Sequence, residues 1–185
     1  MKNILFVLIG IFSASAFAQR LTDHFVVTNK RDTIYGYLKY TSGGELHNKV
    51  TVKVNDTLKL TFGAKEVIYF EEGMNEYYSF VPEGQSDYYF MRVWERGYYE
   101  LFEWEVPYEL STSKTLIEYR PLLRKKGDKE FLDLVHGDWK KQLIDLFNDY
   151  KELADDIKKG KYSLDELGHI IERYNEWKED QEDGW

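Results

Sequence analysis

The stretch YYFMRVWERGYYELFEW, Tyr88 to Trp104, predicts a β-hairpin. Aromatic and β-branched residues dominate on both sides of the segment Glu95-Arg96-Gly97, and such residues favour strands. A glycine at the end of a three-residue loop supplies the left-handed conformation that these loops require. We therefore expect Trp94 to lie opposite Tyr98 at the start of the two strands.

The two faces of this hairpin differ in character. Counting outward from the loop pairs Arg92 with Glu100, and opposite charges in facing positions support that register. One face is expected to be core and consists of Met91, Val93, Tyr99 and Leu101. The other face, called the aromatic hairpin face below, consists of Phe90, Arg92, Trp94, Tyr98, Glu100, Phe102 and Trp104. An aromatic face with a charge pair in its middle needs either a ligand or a covering layer, and the C-terminal helices are the alternative occupant.

The segment TNKRDT near the start of the chain predicts another hairpin, the first in chain order. Thr28 is expected opposite Thr33 across a four-residue loop, which places Val27 opposite Ile34. Gly36 follows within the returning strand. A glycine in that position indicates a bend or a close approach of another backbone.

The segments VTVKV and LKLTF, on either side of Asn55-Asp56-Thr57, alternate cleanly between apolar and polar residues. Such alternation predicts two half-buried strands. Matching their apolar faces requires Val54 opposite Leu58, so the three residues between them form the loop. The segment EVIYF at 66–70 predicts one further strand.

From about residue 126 onward, apolar residues recur every three or four positions, which predicts helices. Asp138 is the expected N-cap of the first helix. Ser163-Leu164-Asp165-Glu166 is a capping-box sequence and predicts the start of the last helix. The apolar stripe of the last helix is expected to be core and consists of Leu164, Leu167, Ile170, Ile171, Tyr174 and Trp177. The expected fold class is α+β, with an antiparallel twisted sheet or a small partly open β-barrel followed by a packed C-terminal helical segment.

The N-terminal sequence predicts export. MKNILFVLIGIFSASAFA has one lysine, an apolar run and a final Ala16-Phe17-Ala18, which is the pattern of a secretory signal peptide cleaved after Ala18. The apolar run is shorter than the roughly 20 residues of a membrane-spanning helix, so no integral span is expected in the mature chain. The mature protein is expected in the periplasm or outside the cell. The expected division of the chain is a signal peptide at 1–18, a β-rich region at 19–125, a helical region packed on it at 126–180 and a frayed tail at 181–185.

Composition and motifs exclude several function classes. The net charge is −8 and cysteine is absent, so nucleic acid is an unfavourable partner, and thiol catalysis and cysteine-bound metals are excluded. The chain has no phosphate-binding loop, dinucleotide fingerprint, nucleophile elbow or EF-hand motif. Glu166 and His169 have the spacing of helical two-metal sites, but such sites need a second copy of the motif. We predict no catalytic residue, no metal and no cofactor, and we expect surface or helix-start positions for the other histidines, His24, His47 and His136.

The chain resembles a family of secreted Bacteroidetes proteins in two short motifs. The first follows the signal peptide and consists of a strand, a turn and D-T-I-x-G, with Asp32-Thr33-Ile34-Tyr35-Gly36 in this chain. The second is a Y-N element in the short C-terminal helices, with Tyr174-Asn175 in this chain. The resemblance implies the same order of β-rich and helical segments and a Gram-negative envelope or extracellular setting. The family has no assigned activity, so the resemblance implies no catalytic residues.

These observations favour an exported, non-catalytic protein that binds a protein partner or an envelope glycan or peptide. Flat aromatic rings with polar edges on the aromatic hairpin face suit such ligands. One alternative is a carboxylate-dependent hydrolase of the cell envelope, in which two acids such as Glu103 and Glu105 would face each other across a cleft. A second alternative is a structural assembly module.

Overall fold

The computed structural model describes residues 24–40, 48–111, 114–135 and 137–183. The predicted signal peptide, His47 and His136 lie outside these residues. Eight strands form one antiparallel sheet in the order β11-β10-β9-β8-β7-β6-β1-β2, and their bounds are β1 Phe25–Thr28, β2 Thr33–Tyr35, β6 Val67–Glu72, β7 Asn75–Phe80, β8 Tyr89–Glu95, β9 Tyr99–Ser111, β10 Lys114–Lys125 and β11 Leu132–Asp133. A second sheet consists of β3 Tyr37–Tyr40, β4 Lys49–Lys53 and β5 Lys59–Gly63. The helices are α1 Trp139–Leu146, α2 Lys151–Lys158 and α3 Leu167–Asp183.

This architecture confirms the predicted α+β class. Both sheets are antiparallel and open, so the chain forms two sheets rather than the barrel offered as an alternative. The short strand β11 falls inside the region predicted as helical at 126–180. Helix α3 continues to Asp183, so the first residues of the predicted frayed tail are helical. Among the described residues, no helix combines the length and the apolar composition of a membrane span.

Both covering layers lie on one face of the large sheet, called the inner face below. Phe90 packs with β3–β5 in one core cluster, whereas Leu101 packs with the three helices in another. Arg92 follows Phe90 by two residues, Glu103 follows Leu101 by two residues, and Arg92 is paired directly with Glu103. Alternate residues of a strand share a face, and so do directly paired residues. All four side chains therefore point to the same side of the sheet.

The opposite face, called the outer face below, carries a third apolar cluster. Met91, Phe102, Trp104 and Leu122 are buried in it. In the described part of the chain, the members of this cluster all come from the large sheet and from the segment that contains Phe131. The outer face therefore packs against its own side chains and one connecting segment.

The register of the β8–β9 hairpin differs from the prediction. Arg92 pairs with Glu103 rather than Glu100, which is a slip of three residues, and a bulge interrupts the ladder between Val93 and Glu95. An odd slip exchanges the faces of one strand relative to the other. It moves Phe102 to the face of Met91, whereas the sequence places these two residues on opposite faces. The physical cause is the bulge together with a turn longer than the three residues expected.

The first hairpin is also shifted, by one residue. Val26 rather than Val27 lies opposite Ile34. The loop contains a left-handed residue, Arg31, with φ 67°, and its N–H donates to the Thr28 carbonyl at 2.8 Å. A turn closed by one left-handed residue adds an unpaired position to the hairpin, and that extra position changes the register.

Gly36 confirms the predicted close backbone approach. It separates β2 from β3, where the chain passes from the large sheet to the small one. A Cβ at this position would lie 2.6 Å from the Lys53 carbonyl oxygen and 2.8 Å from Val52 Cγ1. Real Cβ atoms do not tolerate such distances, so only glycine fits without a shift of the neighbouring backbone.

The second predicted hairpin has the expected register. Val50 pairs with Phe62 and Val52 with Leu60, and the Val54 N–H donates to the Leu58 carbonyl at 3.0 Å. The loop is closed by Asn55, whose side-chain oxygen accepts from the backbone N–H of Leu58 at 2.8 Å. Val54 and Leu58 themselves are exposed rather than inward-facing, because they lie at the tip beyond the paired residues.

The helix signals are confirmed at both predicted starts. The Asp138 carboxylate accepts from the Lys141 N–H at 3.2 Å. The Ser163 N–H donates to the Glu166 carboxylate at 2.8 Å, which completes the capping box before α3. Leu164 is the exception in the predicted apolar stripe, because it is exposed in the first turn.

Asn175 ties α3 to the turn between β8 and β9. Its side-chain oxygen accepts from the Tyr99 N–H at 2.8 Å. Its amide nitrogen donates to the carbonyls of Tyr99, at 2.8 Å, and Arg96, at 3.3 Å. A Cβ on Gly97 would lie 2.5 Å from Asn175 Cγ, so the turn passes directly against this side chain. With Tyr174 buried in the helical core, the Y-N element holds the helices to the sheet.

Candidate functional site

The structure does not bring the seven residues of the aromatic hairpin face together. Phe90 is buried between the two sheets, and Phe102 and Trp104 are buried in the outer-face cluster. Arg92 and Trp94 remain in contact on the inner face, with the guanidinium carbon 5.4 Å from the Trp94 ring centre. Trp94 is partly exposed beside the bulge.

Glu100 and Tyr98, the other two residues of the aromatic hairpin face, lie in different surroundings. Glu100 is buried and accepts two hydrogen bonds from Arg124, at 2.9 and 2.7 Å. Tyr98 lines a cleft of about 590 Å³ between the β8–β9 turn and α3. The Lys125 and Lys178 ammonium groups lie 4.7 and 5.1 Å from its ring centre. The helical layer therefore covers one side of Tyr98. The C-terminal helices were the predicted alternative to a ligand on the aromatic hairpin face.

A different set of aromatic rings forms a continuous row across the outer face. We call this row the outer aromatic ladder, and it consists of Tyr35, Phe25, Tyr69, Tyr78, Phe80, Phe102 and Phe131. Consecutive ring centres are 5.1 to 6.0 Å apart. The row extends from the edge strand β2 to β9 and takes rings from five of the six strands in that span, with none from β8.

Strand pairing explains why these rings meet. Tyr69 pairs with Tyr78, and their rings stack at 11°. Tyr35 pairs with Phe25 on the neighbouring strand pair. Phe80 follows Tyr78 by two residues and therefore points to the same face. Aromatic side chains in directly paired positions of a sheet are within contact distance and stabilise the pairing.

The ladder is accessible over most of its length. The helices and β3–β5 lie on the inner face, so neither layer covers these rings. Tyr35 is 59% exposed, whereas Phe25, Tyr69, Tyr78 and Phe80 are partly exposed. Burial, followed by the neighbouring Tyr78 and Glu71, raises the pKa of Tyr69, so its hydroxyl remains a hydrogen-bond donor.

Two arginines stack on the ladder, and an acid neutralises each of them. The Arg96 guanidinium lies 5.0 Å from the Tyr78 ring centre and donates to the Glu76 carboxylate. The Arg124 guanidinium lies 4.4 Å from the Phe80 ring centre and pairs with the buried carboxylate of Glu100. The ladder is thus an aromatic surface with hydroxyl groups and internally paired charges.

A polar junction occupies the inner face between the two covering layers. Arg92 Nη2 lies 2.8 Å from Glu103 Oε1, and Glu103 is only 6% exposed. Burial raises the pKa of Glu103, and Arg92 opposes that effect. Burial raises the pKa of Tyr77 to about 12, and Glu72 adds to the effect. Glu103 and Glu105, named as a pair from the sequence, lie on one strand and face the same side, because they are two residues apart.

Glu166, considered with His169 as a metal ligand, is used in the capping box before α3. Glu166 accepts from the backbone and side chain of Ser163 in the capping box. His169 is exposed and lies 3.4 Å from Glu172. Within the described ranges, no group of three or more His, Cys, Asp or Glu side chains is arranged to hold a metal ion.

Sequence reasoning missed the ladder because its members are spread over more than one hundred residues. The available signal was the spacing of Tyr78 and Phe80, two positions apart in β7, which predicts one aromatic face for that strand. That signal does not say which strands are neighbours. Comparison with family models, curated proteins and solved structures finds no match to this chain. Function is therefore argued from the residues of this chain.

Proposed function

We propose that the protein is exported and binds an uncharged envelope glycan along the outer aromatic ladder. The observation that carries this proposal is the continuous row of seven rings on a sheet face that neither the helices nor the small sheet covers. The accessible part of the row, from Tyr35 to Phe80, has the length to contact an extended chain rather than a single small molecule.

The chemistry of the ladder favours a neutral polyhydroxylated ligand. Sugar rings present apolar C–H faces to aromatic rings and hydroxyl groups to polar edges, and tyrosine offers both kinds of surface. Arg96 and Arg124 already pair with Glu76 and Glu100, so they do not attract an anionic ligand strongly. The acidic net charge of −8 adds to this preference.

Two observations on the sequence support the export part of the proposal. The first 18 residues have the charge, apolar run and A-x-A ending of a signal peptide. The resemblance to secreted Bacteroidetes proteins points to the same compartment. Cell fractionation and N-terminal sequencing test this part separately, and the expected mature N-terminus is Gln19.

Glycan binding is tested by titrating the purified mature chain with neutral polysaccharides in a calorimeter. Tyr35→Ala and Tyr69→Ala each remove one ladder ring. An aromatic contact contributes about 0.5–1.5 kcal/mol, so each change should weaken binding about 2- to 12-fold. Tyr37→Ala is the matched control, because Tyr37 is 65% exposed and lies on β3, outside the ladder.

Three results would contradict the proposal. The first is equal affinity of the ladder variants and the control variant. The second is binding of extended peptides with no binding of glycans. The third is a concentration-dependent oligomer in light scattering that Tyr35→Ala dissociates, which would assign the ladder to self-assembly.

A further inference from the structure

The polar junction on the inner face contains more acid than base. Glu103 and Glu105 face the same side of β9, and Arg92 is the cation beside them. Arg92 pairs with Glu103 at 2.8 Å. Within the described residues, the buried Glu105 Oε2 and the buried Arg92 Nε have no hydrogen-bond partner. A buried, ionised carboxylate without partners for both oxygens is costly, because it loses hydration and gains too few bonds in return.

The position of this carboxylate links it to the packing of the small sheet. Tyr40 is the last residue of β3, and its ring packs against Phe70, Tyr77 and Phe90 of the large sheet at 4.9 to 5.8 Å. Met91 pairs with Trp104, so the preceding Phe90 and the following Glu105 lie side by side on the inner face, next to the Tyr40 ring. Burial and then Glu105 raise the pKa of Tyr40, in agreement with this position. The junction therefore lies where the two sheets meet.

We propose that Glu105 is a proton-operated lock between the two sheets, whose protonation strengthens the docking of β3–β5 on the large sheet and whose ionisation weakens it. A neutral carboxyl has no ionic hydration to lose, so the buried Oε2 without a partner costs less when Glu105 is protonated. The junction then contains one carboxylate and one guanidinium, which balance each other.

The groups that face this lock come from six strands. They are Tyr40 on β3, Glu72 on β6, Tyr77 on β7, Arg92 on β8 and Glu103 on β9, with Tyr119 on β10 paired opposite Glu105. Burial raises the pKa of Glu105, Glu103 raises it further, and Arg92 lowers it, with a net increase. Folding raises the pKa of this carboxyl, so its protonated form stabilises the folded protein. This stabilisation is fully present at a pH below the pKa of the unfolded chain, near 4.5. That stability is lost as the pH rises through the raised pKa.

Thermal unfolding of the mature chain between pH 4.5 and 8 tests the lock. The wild-type melting temperature should fall with rising pH, by about 3–5 °C for each unit by which the pKa is raised. Glu105→Gln mimics the neutral form, so it should melt higher than wild type at pH 8 and show a smaller pH dependence. Glu83→Gln, a change in an exposed loop, is the matched control and should keep the wild-type pH dependence.

Two further measurements locate the effect and keep the proposal falsifiable if a variant folds poorly. Carbon-13 titration of the wild-type protein should show the Glu105 carboxyl titrating above 4.5. Hydrogen exchange, corrected for its intrinsic pH dependence, should show β3–β5 losing protection at pH 8 before the helices do. The proposal is overturned if Glu105 titrates at its ordinary value, if Glu105→Gln keeps the full pH dependence, or if all layers lose protection together.

Discussion

Replacing Asn175 with alanine should destabilise the protein, because it removes the side chain that joins α3 to the β8–β9 turn. The side chain is 9% exposed and makes three hydrogen bonds to the β8–β9 turn, to the N–H and carbonyl of Tyr99 and to the carbonyl of Arg96. A hydrogen bond contributes about 1 kcal/mol net, and a buried backbone group left without a partner costs about 1–3 kcal/mol. We expect a loss of about 2–4 kcal/mol in the free energy of unfolding.

The measurement is urea unfolding followed by far-UV circular dichroism. The midpoint should fall with an unchanged slope, because the variant loses stability without changing the surface exposed on unfolding. Asn148→Ala is the matched control, since Asn148 is exposed and its amide donates one bond, to the Asp145 carbonyl at 2.8 Å. The control should cost no more than about 0.5 kcal/mol.

A double-mutant cycle with Gly97 tests the geometry behind this prediction. A Cβ on Gly97 would lie 2.5 Å from Asn175 Cγ and Nδ2, so Gly97→Ala forces the turn away from the helix. We expect Gly97→Ala to cost about 1–3 kcal/mol in the wild type. The cost should be smaller in Asn175→Ala, which lacks those two atoms. Strict additivity, or a cost below 1 kcal/mol for Asn175→Ala alone, would refute the clamp.

Three further predictions concern other elements. Gly36→Ala should lower the free energy of unfolding by about 1–3 kcal/mol, because its Cβ would meet the Lys53 carbonyl. Gly63→Ala is the control in the same urea assay and should have little effect, since the nearest atom is 3.6 Å away. Glu166→Ala removes the bond to the Ser163 N–H and should cost about 1 kcal/mol, and a melting temperature equal to wild type would contradict a role for the capping box. Hydrogen bonds from Lys161 and Arg173 lower the pKa of Asp156. Its contribution to the free energy of unfolding is therefore present above the ordinary value of 3.8 and is lost as the pH falls through the lowered pKa. In thermal melts between pH 2 and 4.5, Asp156→Asn should lose less stability with falling pH than the wild type.

Local signals in the sequence were sufficient wherever a structure depends on neighbours in the chain. The loop at Asn55-Asp56-Thr57, the N-cap at Asp138 and the capping box before α3 were predicted correctly. Each of these is held by hydrogen bonds between residues two to four positions apart. Gly36 was also recognised, because a glycine in a strand indicates a close approach even when the approaching residue is unknown.

Long-range contacts decided the register of the decisive hairpin. A three-residue loop with Gly97 at its end was the best local solution for the segment 88–104. In the folded protein, Asn175 binds the backbone of Tyr99 from 76 residues away and holds a longer turn. The slip of three residues then moved Phe102 to the outer face. A register that depends on contacts with a distant side chain cannot be predicted from the hairpin sequence alone.

The sequence by itself determined the overall α+β class, the strands beside its local turns and the starts of the first and last helices, because periodicity and caps act over a few residues. Only the tertiary structure decided which strands are neighbours and which faces are covered. Both covering layers pack on the inner face, so the rings of five strands align on the other face as one ladder. The same packing buries Oε2 of Glu105, and burial, followed by the neighbouring Glu103, raises the pKa of that carboxyl.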